Sequence, residues 1–522
     1  MNGLAALLFV AAVAFGLARW TRIPEIPLLV AAGFALRLAA DASGLELPTG
    51  TLFSAVELGL AMLVFSAGID LSPRRLRGRT GPILSVGLWQ FSILGLVGVG
   101  LALALGYAPR TALYLGCALS ASSTLVVVRI LQRRQLMFEP FGRLVLGVLL
   151  LQDVLIVVLL VVLENLDAGA ADLLLACGRA ALLGAFALAL HRFVVPFAAR
   201  RLHLDDEERL LFALGILFLF IYLAVWLGLP FVVGGFLAGF ALSAFPMNGL
   251  IRGMLGSLSS FFLALFFIGI GFFCILPPPL LWLHALLFAL VLVLVTVVLV
   301  SWLAERHGLS ARDALEAGVL LSQTSEFSLL VLLAGVGAGL IGEEVFSMFV
   351  LLTVATMALT PFLARERVVR RLMKLHPRAR RGTGEPLDVS GHAVLIGYDQ
   401  TGPTMERLLR QAGVPVVVVD EDPAVIRRLA EEGVRFVEGN AASPEVLGRA
   451  NLRGARLVLA GLTRRRGLRE LLEQTRLTDT LVLIRAFEPE ERLLAGRYEG
   501  VVVVDTVEAT VRAFERWMEK GL

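Results

Sequence analysis

The chain has 522 residues, of which 57% are hydrophobic and only 17% charged, and its mean hydropathy is +0.82. A soluble domain carries roughly 25% charge, so this composition excludes a purely soluble enzyme. The net charge of +4 does not point to nucleic acid, because the basic residues cluster in short loops between apolar runs, where membrane topology accounts for them.

A hydrocarbon core about 30 Å thick takes roughly 17 to 25 apolar residues per helix. Thirteen segments qualify: 3–19, 25–40, 51–70, 82–107, 111–131, 142–165, 172–198, 209–228, 230–245, 258–275, 278–303, 312–336 and 343–364. The opening MNGLAALLFVAAVAFGLARW has neither a basic n-region nor an evident small-residue cleavage site, and reads as a retained first helix. Arginines gather in alternate loops, Arg74, Arg75, Arg133, Arg134, Arg200, Arg201 and Arg306 among them, whereas the opposite side has only Arg110. That asymmetry makes the arginine side cytoplasmic and, with an odd number of spans, leaves the N-terminus outside. The expected organisation is a polytopic α-helical domain over 1–366, a basic linker over 367–390 that meets the anionic leaflet, and a cytoplasmic α/β domain over 391–522. Cys117, Cys177 and Cys274 each sit in an apolar segment, so neither a disulfide framework nor a metal cluster is encoded.

Span 5 (GCALSASSTLVVVRI) and span 12 (GVLLSQTSEFSLLVL) each carry a Ser/Thr cluster in mid-helix, seven spans apart. Discontinuous helices in matching positions of two inverted repeats point to a binding site near the midplane of the bilayer. An ionisable group near that depth costs at least about 2.5 kcal/mol on insertion scales and needs a reason. Asp153 is the sharpest case, central in span 6 and preceded by Gln152. A carboxylate there holds either a proton or a monovalent cation, which suffices for proton-coupled exchange; the structural alternative is an ion pair with Arg37 or Arg179. Ser122, Ser123 and Thr124 offer oxygens to a dehydrated cation, and Gln323, Thr324 and Ser325 offer a second set. Glu326 either coordinates or gates, or caps its broken half-helix. Glu57 and Asp70 read as residues at the membrane ends of span 3, and His191, His203, His307 and His376 lie at loop or membrane edges.

Beyond the basic linker, HAVLIGYDQTGPTMERLLRQAGVPVVVVDEDP begins a βαβαβ half of a doubly wound sheet. Gly397 and Gly402 bound the first turn, and Asp420 ends the second strand, where a carboxylate binds ribose hydroxyls. NAD(H), AMP or ATP is therefore the candidate ligand class. Asp399 stands in place of the second glycine of G-x-G-x-x-G and would repel a pyrophosphate, so the alternative is a dimerisation or regulatory module that keeps the shape and binds no dinucleotide. Further strands (LVLAGL, TLVLIRAF, VVVVDTVEA) extend the sheet to six, followed by a helix over 507–520.

These residues resemble the bacterial monovalent cation:proton antiporter-2 family of the potassium-efflux (Kef) type over nearly the whole chain. The resemblance rests on VELGLAMLVFSAGIDLSPRRL, ALSASST, LLQDVLIV, VVGGFLAGFALS, FFIGIGF and SQTSEFSLLVL, and in the tail on HAVLIGY, VVVVDEDP and GNAASPEVL, which are similar to the potassium-transport nucleotide-binding (KTN or RCK) domain. It implies two broken, crossing helices, a dimer-forming scaffold with a core that moves like an elevator, and Gln152 and Asp153 as the signature of the ion site. It also implies a homodimer in the bacterial inner membrane, and electroneutral exchange of one proton for one potassium, with sodium the alternative ion. This chain departs from the family at three places: Asp399; Asn440, where aspartate is usual; and SQTSEF in place of AQGGEF. None of these tail segments shows control by glutathione, which leaves a nucleotide or a glutathione-like ligand open. Two other classes fit less well. A ligand-gated channel would need a TVGYG-like filter, which does not occur, and a membrane-anchored NAD(P) enzyme would need neither thirteen spans nor a mid-membrane acid.

Overall fold

The computed structural model describes residues 2–373 apart from 22–24, 44–48, 72–79, 135, 138–139, 167–168, 202–204 and 244–248, and in the tail 387–505 with short gaps, plus Glu508. The chain falls into two compact units whose main bodies are residues 1–369 and 370–522.

The first unit is helical: α1 (Asn2–Thr21), α2 (Glu25–Ser43), α3 (Thr49–Asp70), α4 (Thr80–Ala104), α5 (Pro109–Leu119), α6 (Thr124–Arg133), α7 (Pro140–Glu164), α8 (Ala170–Ala189), α9 (Val195–Arg201), α10 (Asp206–Trp226), α11 (Phe231–Leu242), α12 (Gly249–Phe273), α13 (Pro279–Arg306), α14 (Ala311–Leu321), α15 (Glu326–Gly337), α16 (Glu343–Leu363) and α17 (Glu366–Met373). Among the described residues, 11 helices are long and apolar enough to cross a membrane, with α5–α6 and α14–α15 each taken as one broken span, and two shorter apolar helices, Leu7–Ala18 and Phe231–Leu242, join them. Each of the thirteen expected segments falls on one of these. Between α8 and α9 the helix widens into a π-turn at Leu190–Val194, just before Pro196, whose missing N–H cannot close a helical bond.

The helices pack in two groups. In one, α3 packs on α11 and α12, and α2 on α12; in the other, α4 packs on α5, α7 and α13, and α15 on α5 and α16. Small residues let backbones approach where lipid supplies no hydrophobic drive. A Cβ at Gly33 would lie 2.0 Å from the Ile268 carbonyl oxygen, and one at Gly271 would lie 2.1 Å from that of Val30, so α2 and α12 meet backbone to backbone. Gly68 against Phe236 (2.2 Å) and Gly239 against Phe65 (2.1 Å) do the same for α3 and α11.

In the tail unit, β1 (His392–Ile396), β2 (Val416–Asp420), β3 (Phe436–Glu438), β4 (Ala455–Ala460), β5 (Leu481–Ala486) and β6 (Val501–Asp505) form a parallel sheet in the order β3-β2-β1-β4-β5-β6. β1 is central, with Ala393 opposite Val416 on one side and Leu457 on the other. Both faces of β1 are buried, as its unbroken apolar run requires. Helices α18 (Gly402–Gln411), α19 (Pro423–Glu431) and α20 (Pro444–Arg449) complete the doubly wound half. The expected helix over 507–520 lies outside the described residues except for Glu508.

Candidate cation site

Both breaks are made by serine at each end. Ser120 folds its hydroxyl back onto the Cys117 carbonyl at 2.7 Å and closes α5, while the Ser123 hydroxyl accepts the Val126 N–H at 3.4 Å and opens α6. Likewise Ser322 bonds the Val319 carbonyl at 2.8 Å to end α14, and Ser325 with Ser328 forms a capping box that starts α15. Serine competes with the backbone for its own hydrogen bonds, which is why it interrupts a helix that is otherwise apolar.

The two breaks meet beside α7. The Ser122 N–H donates to Gln152 Oε1 at 3.0 Å, and the Ser122 hydroxyl donates to the Leu321 carbonyl, the last residue of α14, at 2.7 Å. Thr124 donates to Asp153 Oδ2 at 3.2 Å. Gln323 Nε2 reaches the Ser123 carbonyl at 3.5 Å and that of Leu320 at 3.4 Å. Thr324 leans outward onto Thr356 of α16, Oγ1 to Oγ1 at 3.2 Å. Glu326 faces the Ser123 hydroxyl and the Leu125 N–H, so it caps α6 across the crossing as well as its own half-helix. Gln152, Asp153, Ser122, Ser123, Gln323, Thr324 and Glu326 are all buried.

Asp153 lies in the electrostatic reach of Glu326 and of Asp70 at the end of α3. The arginines considered as its partners are engaged elsewhere. Arg37 bonds the Cys274 carbonyl at 3.1 Å and pairs with Asp41 at 3.8 Å, and Arg179 caps α10 through the Leu227 carbonyl at 3.2 Å. Gln152 Nε2, Gln323 Oε1 and Glu326 Oε2 are buried without a hydrogen-bond partner. Polar atoms left in that condition cost about 1–3 kcal/mol each unless something else meets them. Two half-helix N-termini, two C-terminal ends, the Asp153 carboxylate with its Thr124 hydroxyl donor and these orphan atoms converge at the crossing. Among the described residues no group of three or more His, Cys, Asp or Glu forms a divalent or transition-metal site.

Sequence reasoning passed over several groups. Gln90 of α4 is buried against Ser122 at 3.2 Å. Arg134, at the end of α6, is bound to Glu316 of α14 and to the Ala364 carbonyl after α16. His284, buried in α13, meets the Tyr107 hydroxyl at 2.8 Å. A lone polar residue in an apolar helix was the available signal for Gln90 and His284.

In the tail, Gly397 has φ +80° and a Cβ on Gly402 would strike the Tyr398 ring at 2.7 Å, so both glycines are required by the turn. Asp420 accepts the Tyr398 N–H at 2.6 Å and the Asp422 N–H at 2.8 Å. The Tyr398 hydroxyl turns inward and donates to Glu406, and Arg428 lies over its ring. Burial, and then the hydrogen bond to Glu406, push the Tyr398 pKa up. Arg485 reaches the turn through Thr401 at 2.9 Å. Asp399 and Asn440 lie outside the described residues. The glycine turn, Asp420 and a nearby cation fit the ribose and phosphate of a nucleotide, and Asp420 keeps lone pairs for hydroxyl donors.

A polytopic bundle with crossed broken helices and a buried carboxylate, joined to a parallel α/β tail, defines a secondary cation/proton antiporter and not an enzyme. The transmembrane sodium/hydrogen exchanger family matches residues 5–365, and the chain belongs to it; residues 393–476 match the TrkA-N domain. The chain is similar to the glutathione-regulated potassium-efflux system protein KefC of Cronobacter sakazakii, with 28% identity over 93% of this chain and 78% of that protein. It is also similar to KefC of Salmonella schwarzengrund, with 29% identity over 81% of this chain and 68% of that one. The sodium–proton antiporter MjNhaP1 of Methanocaldococcus jannaschii shares the fold, with TM-score 0.53 and 15% identity over 72% of this chain and 99% of that one.

Proposed function

We propose that the protein exchanges potassium for protons, one for one, on Asp153. The observation that carries this reading is the placement of Asp153: it is 1% exposed, in the middle of α7, beside both helix breaks, with only the Thr124 hydroxyl donating to it among the hydrogen bonds described. Ionised, it binds a cation together with oxygens of Gln152, Ser122, Ser123 and Thr124, with Gln323 supporting from the second break, which Thr324 ties to α16. Neutralised by a proton, it releases the cation. One carboxylate that holds either ligand makes the cycle electroneutral, and α13 adds no membrane-embedded cation to change that count, since its sole basic group of Lys or Arg type, Arg306, is at its end.

Glu326 acts in this scheme as the cap of α6. The names of the KefC relatives favour potassium over sodium. The arginine-rich loops favour a cytoplasmic tail and an external N-terminus in a bacterial inner membrane, with the chain working as a homodimer through its membrane and tail domains. The tail regulates exchange. It would hold a ribose at Asp420 and a phosphate near Gly397, Gly402 and Arg485, and Asp399 in the sequence favours a mononucleotide over a dinucleotide.

Reconstitution in liposomes that trap a pH dye tests the reading. Potassium pulses should move protons saturably, without response to clamping the membrane potential, and Asp153→Asn should give no signal. Equal exchange in the inserted Asp153→Asn protein refutes it, and a preference for sodium replaces the ion while keeping the site.

A further inference from the structure

Gln90 lies mid-way along α4 in the apolar run GLWQFSIL and is fully buried. Its Nε2 donates to Ser122 Oγ at 3.2 Å. A serine hydroxyl owns one proton, and Ser122 gives that proton to the Leu321 carbonyl at 2.7 Å, so it meets Gln90 as an acceptor. Gln90 Oε1, the other end of the same amide, is buried with no partner.

The Leu321 carbonyl belongs to the exposed negative end of half-helix α14, the kind of oxygen a dehydrated alkali ion takes. In the arrangement seen here the Ser122 hydroxyl seals it. Turning the Gln90 amide over would bring Oε1 to Ser122, draw the hydroxyl proton off Leu321 and satisfy the orphan oxygen in the same movement. The carbonyl would then be free to face a cation next to Gln152, which the Ser122 N–H already holds at 3.0 Å.

We propose that Gln90 is a positioning residue of the cation site, whose amide sets whether Ser122 seals the Leu321 carbonyl or yields it to the transported ion. This rests on the reading of Asp153 as the exchanging carboxylate and adds a control element outside the two broken helices. A side chain at position 90 that cannot accept leaves the Ser122 proton on Leu321.

Gln90→Met keeps the length and volume of the side chain and removes both amide atoms. In the liposome assay it should raise the half-saturating potassium concentration about tenfold, with the maximal rate changed less than about twofold. Gln90→Glu, which keeps an acceptor for the Ser122 hydroxyl, should hold half-saturation within about threefold of wild type, whereas a packing defect at position 90 would not be relieved by an acceptor atom. Unchanged half-saturation in Gln90→Met, or an equal rise in Gln90→Glu, overturns the proposal. If Gln90→Met does not insert, Gln90→Glu alone decides: half-saturation within about threefold of wild type supports the switch, and a tenfold rise refutes it. Wild-type protein without Asp153-dependent exchange refutes the functional reading and this inference together, while normal exchange with an indifferent Gln90→Met refutes only the latter.

Discussion

The two helix breaks use the same punctuation and do different things with what lies between. Ser120 and Ser123 bracket Ala121 and Ser122, and Ser322 and Ser325 bracket Gln323 and Thr324. In the first break the inner residue turns toward α7 and the end of α14, so its N–H and hydroxyl both work at the crossing. In the second, Thr324 turns away to the hydroxyl of Thr356, and the capping box satisfies the turn from within. The difference teaches that a matching Ser/Thr cluster identifies a break without saying which face it serves. The first break works at the crossing beside α7, and the second anchors the crossing to α16.

Four single substitutions, one of them also paired with a second, would break or sharpen that contrast and probe the tail. Asp153→Asn should abolish exchange in correctly inserted protein, read as proton movement in liposomes; exchange that persists would shift the coupling carboxylate to Glu326 and reverse the roles of the two breaks. Arg134→Met should lower the thermal unfolding free energy of the membrane unit by about 2 kcal/mol, because Glu316 is left half-paired between α6 and α14. Arg134 is partly exposed, which keeps the loss below that of a sealed pair. Adding Glu316→Leu should recover part of the loss in the same melt.

Glu326→Gln retains an oxygen for the Ser123 hydroxyl and the Leu125 N–H, and should slow exchange by about threefold while leaving the half-saturating cation concentration in place. A complete loss would make Glu326 a second exchanging group. Tyr398→Phe, the smallest effect, should cost the tail about 1 kcal/mol in a denaturant titration by removing the bond to Glu406. Because the folded Tyr398 pKa is raised, its contribution is fully present below the unfolded value of about 10 and is lost as pH rises through the folded one. The difference between wild type and Tyr398→Phe should therefore be flat across neutral pH and shrink only in strong alkali.

Spans and breaks were legible in the sequence because lipid forces backbone bonding inside each helix, which writes hydrophobic length and serine interruptions plainly. The βαβαβ order and Asp420 were legible for the same kind of reason, through strand period and turn glycines. Asp153 stood out because a charge in an apolar run is costly. The partners of Ser122 were not legible: Gln90, Leu321 and Gln152 come from three helices, and their hydrogen bonds depend on rotation about helix axes that no spacing encodes. The role of Glu326 was open for the same reason, since its donors belong to α6, some two hundred residues earlier in the chain. The inward turn of Tyr398 was also hidden, because a tyrosine in a glycine loop reads equally well as exposed.

The glycine contacts of α2 with α12 and of α3 with α11 bear on how such a molecule can flex. Where carbonyl oxygens stand within the volume of a missing methyl group, each helix is keyed to its neighbour like teeth in a rack, and any slip along the axis drives an adjacent side chain into backbone. Gly59, whose Cβ would lie 2.5 Å from the Phe262 carbonyl oxygen, joins α3 to α12 in the same way, so these four helices resist sliding past one another.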